Sequence, residues 1–114
     1  MTAAIVNLTN ELAIPVGTDM QFGIDIDDPE IDLTGTPQAE IRKFAVSLLP
    51  TAIFTATIDQ SLRRLTLYLP RLQSSRLHSG IYTWSVLMVY PPTILRPDGW
   101  SEYLIRGRLE AVTA

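Results

Sequence analysis

Ile81-Tyr82-Thr83-Trp84-Ser85-Val86-Leu87-Met88-Val89-Tyr90 is the longest stretch without a charge, glycine or proline that keeps a period of two. Side chains alternate across an extended chain, so Tyr82, Trp84, Val86, Met88 and Tyr90 share one face of a single strand. The other face (Ile81, Thr83, Ser85, Leu87, Val89) is still half apolar, which predicts a central strand covered on both sides.

Outward from it, the same period recurs. Met20, Phe22, Ile24 and Ile26 alternate with Gln21, Gly23, Asp25 and Asp27, and Leu65, Leu67 and Leu69 with Arg64, Thr66 and Tyr68. Phe54, Ala56 and Ile58 alternate with Thr55 and Thr57, whose β-branched side chains suit an open pleated face. Tyr103, Ile105, Leu109 and Ala111 read as one inward face, with Glu102, Arg106, Arg108 and Glu110 outward. Ala39 and Ile41 predict a strand over residues 38–44, with a bulge where Lys43 and Phe44 break the alternation. Leu12 and Ile14 begin a further strand that Pro15 confines to an edge. No helix of any length is predicted.

The separators are turn chemistry. Residues 27–37 hold Asp, Pro and Gly, and Asp59-Gln60-Ser61 is hairpin-like. Residues 70–80 suit one helical turn between two sheets, and Arg96-Pro97-Asp98-Gly99 is a turn sequence. Seven short strands at this spacing on 114 residues predict an all-β fold: an immunoglobulin-like β-sandwich of about seven antiparallel strands, with a small open β-barrel as the alternative. There is no internal repeat. Residues 10–114 are expected to form the single domain. Residues 1–9, apolar with few charges, are read as an N-terminal arm that orders on assembly.

Composition removes much chemistry. There is no cysteine and one histidine, His78, which excludes disulfides, thiolate sites and any two-histidine site within one copy. A net charge of −3 argues against a nucleic-acid surface. The N-terminus lacks the basic start of a signal peptide. Residues 44–58 carry no charge, yet Pro50 interrupts them and they are too short to span a bilayer. Asn7-Leu8-Thr9 fits a glycosylation pattern without support elsewhere. A soluble protein made inside a cell, with no membrane partner, is the expectation.

Candidate sites are few. Asp25, Asp27, Asp28, Glu30 and Asp32 form an acidic stretch, but a calcium loop starting at Asp25 would need glycine where Glu30 stands and glutamate where Thr36 stands. His78 beside Ser79 lacks the Gly-x-Ser-x-Gly elbow of a hydrolase. Glu102 and Glu110, on a predicted outer face, nominate no acid pair. No glycine-rich phosphate loop is present. No catalytic residue, cofactor or metal site is therefore assigned. Eight of the nine basic residues are arginine, mostly in the last half, and the acids crowd the first third. Such a chain is suited to docking acidic surface on basic surface. Residues 91–100, rich in proline, are read as a second segment able to dock on assembly, and Trp100 within it, beside the Pro-Asp-Gly turn, is expected to be exposed and able to anchor a partner or a sugar.

Several segments together carry a resemblance. Leu12-Ala13-Ile14 precedes Gly17-Thr18-Asp19-Met20-Gln21-Phe22, and Asp32-Leu33-Thr34-Gly35 leads to Ala39-Glu40-Ile41-Arg42. Leu77-His78-Ser79-Gly80-Ile81-Tyr82-Thr83-Trp84 follows, and Gly107-Arg108-Leu109-Glu110-Ala111-Val112-Thr113 closes the chain. This order resembles the small β-sandwich domain of tailed-phage baseplate, tail-fibre and related virion proteins. In that family Gly35 would serve a tight turn, Gly80 a strand start, and Tyr82 and Trp84 the core. The resemblance implies a non-catalytic structural adaptor of the tail, resident in the virion and made in the host cytoplasm. Its partners would be other virion proteins, with the chain a homo-oligomer or present in many copies. A head decoration protein, or a carbohydrate-binding module using Trp100 and Tyr103, are the alternatives; a small hydrolase or isomerase acting through His78 is the remaining class.

Overall fold

The computed structural model describes residues 4–8, 14–44 and 46–113. Eight strands and one helical turn follow in order: β1 (Ala4–Leu8), β2 (Ile14–Pro15), β3 (Met20–Asp25), β4 (Thr36–Arg42), β5 (Ala52–Asp59), β6 (Arg64–Leu69), α1 (Arg71–Ser74), β7 (Gly80–Tyr90) and β8 (Trp100–Val112). All seven expected strands are present. The strand β1 is additional: it lies in the stretch read as an arm and runs parallel to β8, Ala4 opposite Ile105 and Leu8 opposite Leu109. Residues 1–3 and 9 of that arm, and Leu12 of the early strand, lie outside the described residues.

The strands follow the order β1-β8-β7-β4-β5-β6-β3, with β2 also on β8. The fold is all-β, and its neighbour relations are those of an immunoglobulin-like sandwich, β4-β7-β8 in one layer and β3-β6-β5 in the other. The layers are joined through β5. Its residues 52–54 pair with β4 and residues 55–59 with β6, so a single strand turns the corner between sheets. At the opposite corner the chain leaves β2 on β8, turns at Gly17 (φ 82°) and enters β3 on β6. The buried Ser74 hydroxyl holds that turn, accepting from Gly17 N at 3.0 Å and donating to Thr18 O at 2.7 Å. No ladder joins β3 to β8 among the described residues, which leaves a sandwich that is also an almost closed barrel. One expectation is corrected: the sheet is mixed, because β1 and β2 run parallel to β8. An early strand laid against the last one needs no hairpin, so nothing forces it to be antiparallel.

Tyr82, Trp84, Val86, Met88 and Tyr90 are buried as the alternation requires. Phe22, Phe54 and Trp84 meet edge to face at 5.6–6.3 Å between ring centroids, tying β3, β5 and β7 together. The Tyr82 hydroxyl accepts a 2.8 Å hydrogen bond from the His78 backbone N–H. A tyrosine opening this strand and bonding backbone four residues upstream is the corner that marks immunoglobulin-like folds. The strand β7 is central, with β4 and β8 on either side. Its second face, expected to be covered, carries no second layer: Thr83, Ser85, Leu87 and Val89 are only partly buried and Ile81 is exposed.

Two further expectations change at strand irregularities. In β8 the register slips between Val86–Ile105 and Leu87–Tyr103, leaving Leu104 as the extra residue of a bulge. Leu104 and Ile105 are consecutively buried, so the face inverts at that point. Tyr103 therefore points outward and Glu102 inward, the reverse of simple counting. Conversely, no bulge lies at Lys43–Phe44: β4 ends at Arg42, and Phe44 and Ser47 close a turn through Ser47 N to Phe44 O (3.0 Å) and Phe44 N to Ser47 Oγ (3.2 Å).

Candidate interaction surfaces

The acidic stretch is a loop folded over one end of the sandwich. Ile26 and Leu33 plug it into the core, and its carbonyls are held by side chains from elsewhere. Arg63 donates to Ile26 O (3.3 Å), Asp28 O (2.9 Å) and Ile31 O (2.8 Å), Gln60 Nε2 to Leu33 O (2.6 Å), and the Tyr90 hydroxyl to Asp32 O (2.6 Å). The carboxylates face solvent and build turns: Asp28 Oδ1 accepts from Glu30 N, and Asp25 pairs with Arg64 at 2.8 Å. Among the described residues no three acidic or histidine side chains converge on a point that could hold a metal ion. His78 is exposed. No hydrogen bond among the described residues joins its ring to a serine or a carboxylate.

The turn-forming acids carry a pH dependence. The Thr34 hydroxyl (2.7 Å) and N–H (2.9 Å) hold the Asp32 carboxyl below its ordinary value of 3.8. The Ser61 hydroxyl and the Leu62 N–H do the same for Asp59. A carboxyl more acidic in the folded than in the unfolded chain contributes stability above its ordinary value and loses it as pH falls through the folded one. Urea midpoints should therefore fall below about pH 4. The Asp32→Asn/Asp59→Asn pair should flatten that acid limb while leaving the neutral-pH fold intact; an unchanged acid limb would contradict the assignment.

The arginines divide by task. Arg63 and Arg64 serve the acidic loop, whereas Arg42, Arg106 and Arg108 line a trough of about 620 Å³ on the open face of β4-β7-β8. Thr83 and Ser85 form its floor, because short side chains on the central strand lie between long ones on both neighbours. Glu40 forms an ion pair with Arg42, whose Nε also donates to Ser47 O at 3.1 Å, and the Arg106 guanidinium lies 5.3 Å from the Tyr103 ring centre.

Trp100 differs from expectation. It is partly buried and packed against the core, stacked on Tyr90 at 4.3 Å and 15°, with the Arg96 guanidinium 4.3 Å from its ring centre. Its π surface is already engaged within the chain. The cause is the β8 bulge, which turns Trp100, Glu102 and Leu104 together toward the interior side.

The most exposed of the large apolar side chains lie elsewhere, in two loops. The 43–51 loop presents Phe44, Val46 (89% exposed), Leu48 (94%) and Leu49 (81%), with Leu72 of α1 exposed at the same end. The 91–99 loop presents Ile94 (99%) and Leu95 (92%). Because β4 runs toward the first loop and β7 away from it, the two loops lie at opposite ends of the sandwich. Residues 91–100 were expected to dock on assembly through their prolines and Trp100, but Ile94 and Leu95 and the whole 43–51 loop were not singled out. The available signal was the loss of alternation after Lys43 without any charge before Pro50: apolar residues with no strand or helix period have no core to enter.

Compared with known families and with curated proteins, the chain matches none. Among the described residues no helix is long and apolar enough to cross a membrane.

Proposed function

We propose that this chain is a non-catalytic assembly protein of a tailed-phage particle, an adaptor of the tail at the baseplate or at a fibre attachment. The observation that carries an assembly role is the set of almost fully exposed Val46, Leu48, Leu49, Ile94 and Leu95 on loop tips. Apolar side chains grouped on a loop tip in water favour a protein partner over solvent. The phage context comes from the order of the segments quoted above, chiefly Asp32-Leu33-Thr34-Gly35 and Leu77-His78-Ser79-Gly80-Ile81-Tyr82-Thr83-Trp84. Engagement of Trp100 by Tyr90 and Arg96 weighs against a sugar-stacking role, since a stacking platform needs a free ring face.

Gradient-purified particles from the source, analysed by quantitative mass spectrometry, should contain the protein at a small multiple of three copies, as tail symmetry would require. Hundreds of copies would make it a head decoration protein instead. Its absence from particles would overturn the virion reading.

A further inference from the structure

The molecule measures 50 × 31 × 22 Å, and its two ends differ in charge as well as carrying the two apolar loops. At the end of the 43–51 loop, where α1 and the start of β7 also lie, the exposed charges include Lys43, Arg71 and Arg76, with Asp19 opposing them. At the other end, beside the 91–99 loop, stand the five acids of the 25–32 stretch together with Asp59 and Asp98, all exposed. The cations there are Arg64, paired with Asp25, Arg63, bonded to loop carbonyls, and Arg96, over Trp100, so carboxylates outnumber arginines seven to three. One end is thus apolar with a cationic rim, and the opposite end is apolar with an anionic rim.

From this we infer that copies of this chain dock head to tail, the 43–51 loop of one copy against the 91–99 loop and acidic rim of the next. Like ends make a poor pair. Two copies joined through their 91–99 loops would oppose two rims in which seven carboxylates outnumber three arginines, and two joined through their 43–51 loops would face Lys43, Arg71 and Arg76 with the same cations. Like charges opposed across a contact cost several kcal/mol, whereas opposite rims attract and steer encounter. A contact between unlike surfaces is heterologous, and repeats either to a closed ring or to an open file of subunits. This deepens the assembly reading by naming a partner, a second copy, and rests on that reading only for its biological setting.

The test uses the whole chain and two variants altered at residues that make no core contact. Leu48→Glu/Leu49→Glu blocks one end and Ile94→Glu/Leu95→Glu the other; circular dichroism and urea midpoints should match the parent because these side chains lie in water. In sedimentation velocity the parent should show concentration-dependent species larger than a dimer. Each variant alone should be monomeric, with association weakened by about 30-fold or more, as expected for losing a central apolar anchor. An equimolar mixture of the two variants should form a dimer and stop there, because each retains one competent end. A parent that stays monomeric overturns the inference and leaves the two ends to a different protein. A variant that still dimerises alone overturns it in favour of a like-to-like contact. The two readings fail separately: a monomeric parent found in particles sinks only the head-to-tail contact, and a self-associating parent missing from particles sinks only the virion role.

Discussion

Trp84→Ala is expected to cost about 3–5 kcal/mol, a large part of the ~5–15 kcal/mol that keeps a domain of this size folded. The indole is 1% exposed and is the piece shared by both layers, in edge-to-face contact with Phe22 of β3 and Phe54 of β5. Truncation would leave a cavity against β7, which is hydrogen-bonded to β4 and β8 on its two sides and cannot collapse into it. Trp84→Phe is the informative companion. Trp84 Nε1 is buried without a hydrogen-bond partner, and an unsatisfied buried donor is itself destabilising by about 1–3 kcal/mol. Phenylalanine removes that donor while losing part of the volume, so its cost should stay below about 1.5 kcal/mol. Urea denaturation of both variants checks the pair; equal costs would mean that the indole nitrogen contributes to stability.

Gly35→Ala should cost about 2–3 kcal/mol through overpacking, although Gly35 was expected to serve a tight turn. The glycines with left-handed backbone are Gly17, Gly80 and Gly99, not Gly35. A Cβ at Gly35 would instead lie 2.8 Å from Val89 O and 3.0 Å from the Tyr90 ring. Neither can yield easily: Val89 is in the central ladder, and Tyr90 is fixed by its bond to Asp32 O and its stack on Trp100. Gly17→Ala is the complementary control. It has φ 82° but nothing nearer than Ser75 Oγ at 3.9 Å, so its cost is the left-handed penalty alone, about 1 kcal/mol. Gly35→Ala should also disturb the Tyr90–Trp100 stack and change the near-ultraviolet circular dichroism, whereas Gly17→Ala should not. A Gly35→Ala variant with parental stability and spectrum would contradict the close approach.

The strands were legible because burial of one face imposes a period of two that needs no knowledge of neighbours. Leu65, Leu67 and Leu69 are all fully buried, as their alternation with Arg64, Thr66 and Tyr68 required. The Pro-Asp-Gly turn was legible too: Gly99 N donates to Arg96 O at 2.9 Å, with Gly99 at φ 73°. Errors gathered where two residues of one strand oppose one of another. A bulge leaves composition untouched yet inverts every side chain before it, so Tyr103, Glu102 and Trp100 could not be placed by counting from Ile105. The candidate surfaces were less legible still. The arginines that crowd the last half of the chain divide in space, Arg63 and Arg64 going to the acidic loop and Arg106 and Arg108 to the open sheet face.

Local chemistry by itself determined that this chain is all-β, the positions of seven of its strands and most of the side chains that form the core. Those outcomes depend on backbone geometry and on the free energy of removing apolar side chains from water, both readable residue by residue. Tertiary structure alone decided that β5 joins the layers, that β1 and β2 run parallel to β8, that Trp100 is engaged from within, and that apolar loops with rims of opposite charge cap opposite ends. Each of these depends on which strand lies beside which, a choice made by contacts between residues far apart in the chain.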